Sequence, residues 1–177
     1  MTKQFLRCTI LCLVAYCSWA FSFDTHCKDE ALVIFNCHLE NSNKVVSVCK
    51  IGTENSDEQE QYLQYTFGNI GKAELVFPKK NHIKNSQFSF DRQYGKEAGY
   101  LEYNLTFYVG SNKYEVYWTE VSKIDGVPRE EVEISSGVGV FTSAGKRINL
   151  QCSKDVTQNL ESANTIFVRN VDWANEQ

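Results

Sequence analysis

The sequence predicts an all-β protein, an antiparallel sandwich or barrel of about eight or nine short strands with one short helical turn near the C-terminus. Three observations predict it. Apolar and polar residues alternate with period two over the best-patterned stretches, as on a strand with one buried and one wetted face. Short clusters of Gly, Asn, Ser and Lys punctuate those stretches and supply tight turns. Helical spacing of apolar residues is confined to one short stretch.

The first strand candidate is Leu32 to Cys37, and the polar cluster around Asn43 separates it from Val45 to Cys49, so the two read as a tight hairpin. Tyr62 to Phe67 and Ala73 to Phe77 flank the turn Gly68-Asn69-Ile70-Gly71, and Pro78-Lys79-Lys80-Asn81 precedes Phe88 to Asp91. From Tyr100 to Val109 every odd position is apolar or aromatic, while the even ones include Glu102, Asn104 and Thr106. Gly110-Ser111-Asn112 turns the chain, and Tyr114, Val116 and Trp118 alternate with Glu115, Tyr117 and Thr119 on the return. Val138 to Phe141 and Ile148 to Cys152 flank Ser143-Ala144-Gly145-Lys146. The helical stretch is Asp155 to Ser162, with Ser153 or Asp155 as its cap and Val156 and Leu160 on adjacent turns. Two Glu-rich segments, Thr53 to Gln61 and Lys123 to Glu133, read as solvated loops.

Residues 1–22 carry a secretory pattern: Lys3 and Arg7, an apolar run from Cys8 to Phe21, and small residues at the cleavage positions of Ala20-Phe21-Ser22. A cut after Ala20 fits nearly as well. The run is too short to span a bilayer, and Tyr16 stands before Cys17, where a lipid-anchored cysteine takes a small residue. The expected mature protein is residues 23–177, a single disulfide-bonded β domain, periplasmic or secreted, with no transmembrane segment. Cleavage after Ser22 removes three of the 7 cysteines and two of the 18 basic residues but none of the 22 acidic ones, so the formal charge moves from -4 to -6. The remaining cysteines, Cys27, Cys37, Cys49 and Cys152, are even in number, as an oxidising compartment favours. Folding the first hairpin about Asn43 places Cys37 opposite Cys49 and leaves Cys27 to pair with Cys152. The pairing of Cys37 with Cys152 and of Cys27 with Cys49 stands beside it as the alternative.

The net acidity argues against a nucleic-acid or anionic-membrane binder, which needs a basic footprint. Catalytic patterns are sparse. His26, His38 and His82 form no metal spacing, no cysteine pair has zinc-site spacing, and no G-x-S-x-G elbow occurs, so neither a metal nor another cofactor is expected. Ser47-Val48-Cys49-Lys50 matches S-x-x-K, yet residues three apart on a strand face opposite ways. Asp57, Glu58 and Glu60 lack the arrangement of a calcium loop. Glu102, Glu115 and Glu120 lie on neighbouring strands, and their convergence across a cleft is what a carboxylate-dependent glycan hydrolase requires. Tyr100, Tyr108 and Tyr117 fall on the outer sheet face among polar residues, where tyrosines anchor protein or sugar partners or form a cross-strand ladder.

Four stretches together, Lys44 to Cys49, Tyr62 to Gly68, Gly71 to Pro78 and Gly137 to Cys152, resemble a family of small exported bacterial proteins without an established activity. The likeness spans about residues 35 to 152, with Tyr62-Leu63-Gln64-Tyr65-Thr66-Phe67-Gly68 its most specific part. The order of Ser136-Gly137, a Gly145-Lys146 turn and Cys152 is also similar to the periplasmic and membrane-bound inhibitors of C-type lysozyme. In those small antiparallel barrels a Ser-Gly loop enters the lysozyme cleft and a cystine ties an early strand to the last. Their Tyr after the Ser-Gly is missing here, with Val140 and Phe141 in that region, and the spacing to the final Cys differs. Export, net acidity, the outer-face tyrosines and the lack of catalytic motifs point to a non-enzymatic envelope protein that binds a protein partner, an inhibitor or immunity protein against a cell-wall hydrolase or toxin. The acidity suits a basic, lysozyme-like partner. The alternatives are the glycan hydrolase and a sugar-binding or structural surface protein.

Overall fold

The period-two stretches all form strands. The structure, a computed structural model, describes residues 24–28, 31–52, 61–79, 87–96, 99–124 and 127–164. They contain β1 (Leu32–Leu39), β2 (Val45–Ile51), β3 (Tyr62–Asn69), β4 (Lys72–Phe77), β5 (Phe88–Gly95), β6 (Tyr100–Val109), β7 (Asn112–Ile124), β8 (Val127–Phe141), β9 (Arg147–Gln158) and a 3-10 turn, Leu160–Ala163. The proposed signal segment, most of the acidic loop from Thr53, and His82 lie outside the described residues.

All nine strands join one antiparallel order, β4-β3-β2-β1-β9-β8-β7-β6-β5. The chain therefore makes two meanders, β1 to β4 and β5 to β9, which the β1–β9 ladder joins into an all-β sandwich. The sheet does not close. Its two edges, β4 and β5, approach through the rings of Phe77 and Phe88, 5.6 Å apart, rather than through a ladder. Among the described residues no helix is long and apolar enough to cross a membrane.

Alternation places Leu105 and Phe107 of β6, Val116 of β7 and Val138 of β8 against Val46 and Val48 of β2 and Leu63 and Tyr65 of β3 in one core. Phe107 is its hub: the rings of Tyr65, Phe77, Phe88 and Tyr114 pack around it at centroid distances of 4.8, 5.0, 5.1 and 5.1 Å. Tilted and offset rings at such distances add about 0.5–1.5 kcal/mol per pair to the apolar area they bury.

Burial, with Tyr114 as the smaller cause, pushes the Tyr65 phenol well above its ordinary 10.0. The folded protein thus holds a proton that the unfolded chain releases near pH 10, so the associated stability is complete below that pH and falls as pH rises past it. Above pH 10 the wild type is expected to lose about 1.4 kcal/mol per pH unit relative to Tyr65→Phe. Urea unfolding of both proteins across the alkaline range measures it.

The structure corrects three expectations. The first hairpin turns earlier than Asn43: His38 pairs with Val45 and Cys37 with Val46, while Cys49 lies opposite Val33. Cys37 and Cys49 are thereby moved out of register, and the cystines are Cys27–Cys49 and Cys37–Cys152 instead. Because β1 lies between β2 and β9, Cys37 reaches the last strand, where Leu39 pairs with Cys152 beside a register shift. The segment Lys123 to Glu133 is mostly strand, since β7 runs to Ile124 and β8 starts at Val127. Finally, Asp155 to Gln158 continues β9, where it pairs with β1 through Val156 to Cys37 and Gln158 to Phe35. Helical geometry is left to Leu160–Ala163, whose cap position is Asn159 and has no side-chain cap bond.

Cys27 belongs to a strap, residues 24–28, that seals a polar pair on the outer side of β1 and β2. Ser47 Oγ donates to Asn36 Oδ1 at 2.6 Å and accepts the His26 amide at 3.0 Å, and Asn36 Nδ2 donates to the Asp24 carbonyl at 3.1 Å. Both side chains are fully buried, so these bonds remove what would otherwise be a desolvation penalty.

Candidate binding surfaces

The outer face of β6 to β9 holds the sequence-selected tyrosines in different environments. Register sets Asn104 opposite Tyr117, Tyr117 opposite Gly137 and Gly137 opposite Gln151, which makes one row across four strands. Gly137 allows the close approach of β9 and of the Tyr117 phenol: a Cβ there would run into the Leu150 carbonyl oxygen and stand 3.0 Å from the Tyr117 hydroxyl. The phenol lies across it toward β9, shared between Gln151 Oε1 at 2.9 Å and Asn149 Oδ1 at 3.2 Å. Tyr117 is accordingly only 9% exposed and braces the sheet. Tyr108 is 60% exposed, whereas Tyr100 is half-buried and lines a hollow described below.

Tyr108 neighbours a row in which Lys113 and Arg147 flank the Phe141 ring at 5.2 and 5.1 Å, with Lys113 also bound to Glu115 at 2.8 Å. Ser136 and Gly137 sit in the middle of β8 rather than in a loop, and Ser136 is 4% exposed. They therefore have no protruding Ser-Gly loop to offer. Asn104, the acceptor of the Asn104-Leu105-Thr106 sequon, is 9% exposed and donates to Glu102 at 2.8 Å, so a glycan has no access to it in the folded protein.

The three carboxylates do not share a cleft. Glu115 pairs with Thr106 and Glu102 with Thr119, which puts the two four residues apart along the strands, about 14 Å. Glycosidase pairs stand about 5–9.5 Å apart. Glu120 pairs with Leu101 and points to the core-facing side, where it accepts the Trp118 indole N–H at 2.9 Å. Among the described residues no group of three or more His, Cys, Asp or Glu side chains is placed to hold a metal ion.

Sequence reasoning missed the surface at the far end of β5 to β8. Tyr94, Leu101, Glu120 and Ile134 form a cross-strand row on the side that carries the core. Along β8 that side emerges from the interior: Val138 is fully buried, Ser136 4% exposed, Ile134 54% and Val132 51%. Tyr94 is 63% exposed. A hollow of about 340 Å³ lies there, bordered by Tyr94, Tyr100, Leu101, Glu120 and Val132. Lys96 and Lys123 stand at its rim, and Lys123 Nζ donates to the Lys96 carbonyl at 3.4 Å. Glu130, Glu131 and Glu133 are exposed neighbours of Val132 along β8, and alternation turns Glu131 and Glu133 to the opposite side of the strand from Val132 and Ile134. The signal for this surface was the alternation of Glu131 and Glu133 with Val132 and Ile134.

Fold and surface together define an antiparallel β-sandwich fastened by two cystines, with an aromatic and aliphatic patch beside an acidic strand. No protein family, characterised protein or solved structure matches the chain.

Proposed function

We propose that the protein is an exported, non-enzymatic binding protein whose end surface of Tyr94, Val132 and Ile134 docks a basic protein, an envelope hydrolase or toxin that it inhibits. The observation that carries this reading is the emergence of a core-type row into solvent. Aromatic and aliphatic side chains gathered on an exposed face mark interaction sites, and tyrosine is among the residues that dominate binding energy. The formal charge of -4 and the exposed glutamates of β8 supply a long-range field that steers a cationic partner, while Lys96 and Lys123 at the rim of the hollow leave the contact itself to the apolar side chains. Two cystines support an oxidising compartment, and the secretory pattern of residues 1–22 supports export to the periplasm or beyond. The Cys37–Cys152 link from first strand to last is a feature shared with the lysozyme inhibitors, although the end surface replaces their Ser-Gly loop in this proposal.

Incubating the purified protein with a panel of C-type lysozymes and envelope-acting toxin hydrolases tests the proposal. A complex that forms at micromolar concentration, inhibits the hydrolase and weakens as salt rises is the expected outcome. Absence of a complex with every member of the panel would count against it.

A further inference from the structure

A second groove, of about 350 Å³, lies between the β1–β2 turn and β9. It is independent of the end surface: Asn149 is level with Thr106 across the sheet, five residues from Leu101 and so about 17 Å along the strands. We propose that this groove binds a neutral saccharide of one or two pyranose units.

The lining has the two-sided chemistry of a pyranose, which presents an apolar C–H face and an edge of hydroxyls. Leu39, Phe67 and Leu150 supply the apolar part, and Asn41, Ser42, Asn149 and Gln151 the polar part. Amides and hydroxyls each donate and accept, as a sugar hydroxyl does. The lining charges are Glu40 and Lys44, and Lys44 is committed elsewhere, 2.9 Å from Glu74 Oε2 and 5.0 Å above the Phe67 ring centroid. That arrangement offers an anion no uncommitted cation.

The walls are held in place before any ligand arrives, which lowers the ordering cost of binding. Gln151 Oε1 accepts from Tyr117 Oη and from Asn149 Nδ2, and Gln151 Nε2 donates to Ser135 Oγ at 3.2 Å. The turn is pinned to β9 by the Glu40 amide, which donates to the Gln151 carbonyl at 2.9 Å, and closed by the Leu39 amide on the Lys44 carbonyl at 3.0 Å. The cystine Cys37–Cys152 fixes the strands beneath, where Leu39 pairs with Cys152.

Titration of the isotope-labelled protein with cellobiose, maltose and N,N′-diacetylchitobiose, followed by NMR, tests the proposal, with galacturonate as the anionic control. Saturable shifts of the Asn149 and Gln151 side-chain amides are expected in the millimolar range with at least one neutral disaccharide. Asn41→Gly, which tolerates the φ of 54° at that position, combined with Ser42→Ala, which also removes the 3.1 Å bond from the Lys44 amide to Ser42 Oγ, is expected to weaken binding at least about fivefold in a protein that still unfolds cooperatively. No saturable shift with any neutral disaccharide, stronger binding of galacturonate, or undiminished binding by the folded double variant would overturn it. Because the end surface plays no part in this titration, its outcome is separate from that of the hydrolase panel.

Discussion

Phe107→Ala is expected to destabilise the protein by about 3–5 kcal/mol, the cost typical of removing a buried aromatic side chain. Phe107 is fully buried and is the ring on which four others converge, two from the β1–β4 meander (Tyr65, Phe77) and two from the β5–β9 meander (Phe88, Tyr114). Truncation would therefore leave a cavity between the meanders at the place where no ladder joins β4 to β5. The surrounding rings are large and planar and refill such a space poorly, which argues for the upper part of the range. Urea unfolding measures the loss, and a fall of roughly 10 °C in Tm should accompany it. The equivalent change at exposed Tyr108 is expected to stay within about 0.5 kcal/mol.

Removing Cys37–Cys152 by the double substitution to alanine is expected to cost about 4–5 kcal/mol, because its sequence separation of 115 restricts the unfolded chain strongly. The same treatment of Cys27–Cys49, with a separation of 22, is expected to cost about 3 kcal/mol by the same relation. The larger loss also strikes the β1–β9 ladder, the junction on which the sandwich depends. Denaturant unfolding of the two double variants checks the ranking, and peptide mapping of the oxidised protein checks the pairing. Equal stabilities, or a Cys27–Cys152 linked peptide, would contradict it.

Much of the fold was legible because alternation is a local property. All nine strands were readable as short runs, and so was the place of the β6–β7 turn, although Asn112, read as part of that turn, opens β7. Val109 pairs with Asn112 across Gly110-Ser111, with Gly110 at φ 60°, the geometry a two-residue hairpin loop demands at its first position. Pairing partners distant in sequence were not legible. Asp155 to Gln158 reads as helix until β1 stands beside it, and the cystine assignment depended on a turn whose centre the polar run 40–44 left undetermined. The acidic stretch of β8 read as loop because Pro128 and three glutamates outweighed two aliphatic residues, whose alternation faces solvent rather than a second layer.

The candidate surfaces were less legible than the fold for a related reason. Parity placed Tyr117 on the correct side of its strand, but its burial depends on Gly137 on the next strand, a cross-strand relation that sequence spacing does not carry. Glu120 illustrates the converse: three carboxylates on adjacent strands suggest a cleft until register separates two of them and parity turns the third inward.

Binding of a basic protein at the end surface, as proposed, is separable from binding at the outer face by one paired measurement. For a hydrolase that the wild-type protein inhibits, calorimetric titration of Ile134→Asp and Tyr108→Ala should separate the two faces. Ile134→Asp is expected to weaken the complex at least about tenfold by placing a charge in the desolvated centre of the contact, and Tyr108→Ala to leave it unchanged. Retention of full affinity by a folded Ile134→Asp protein, with loss in Tyr108→Ala, would contradict the claim and place the contact on the outer face instead.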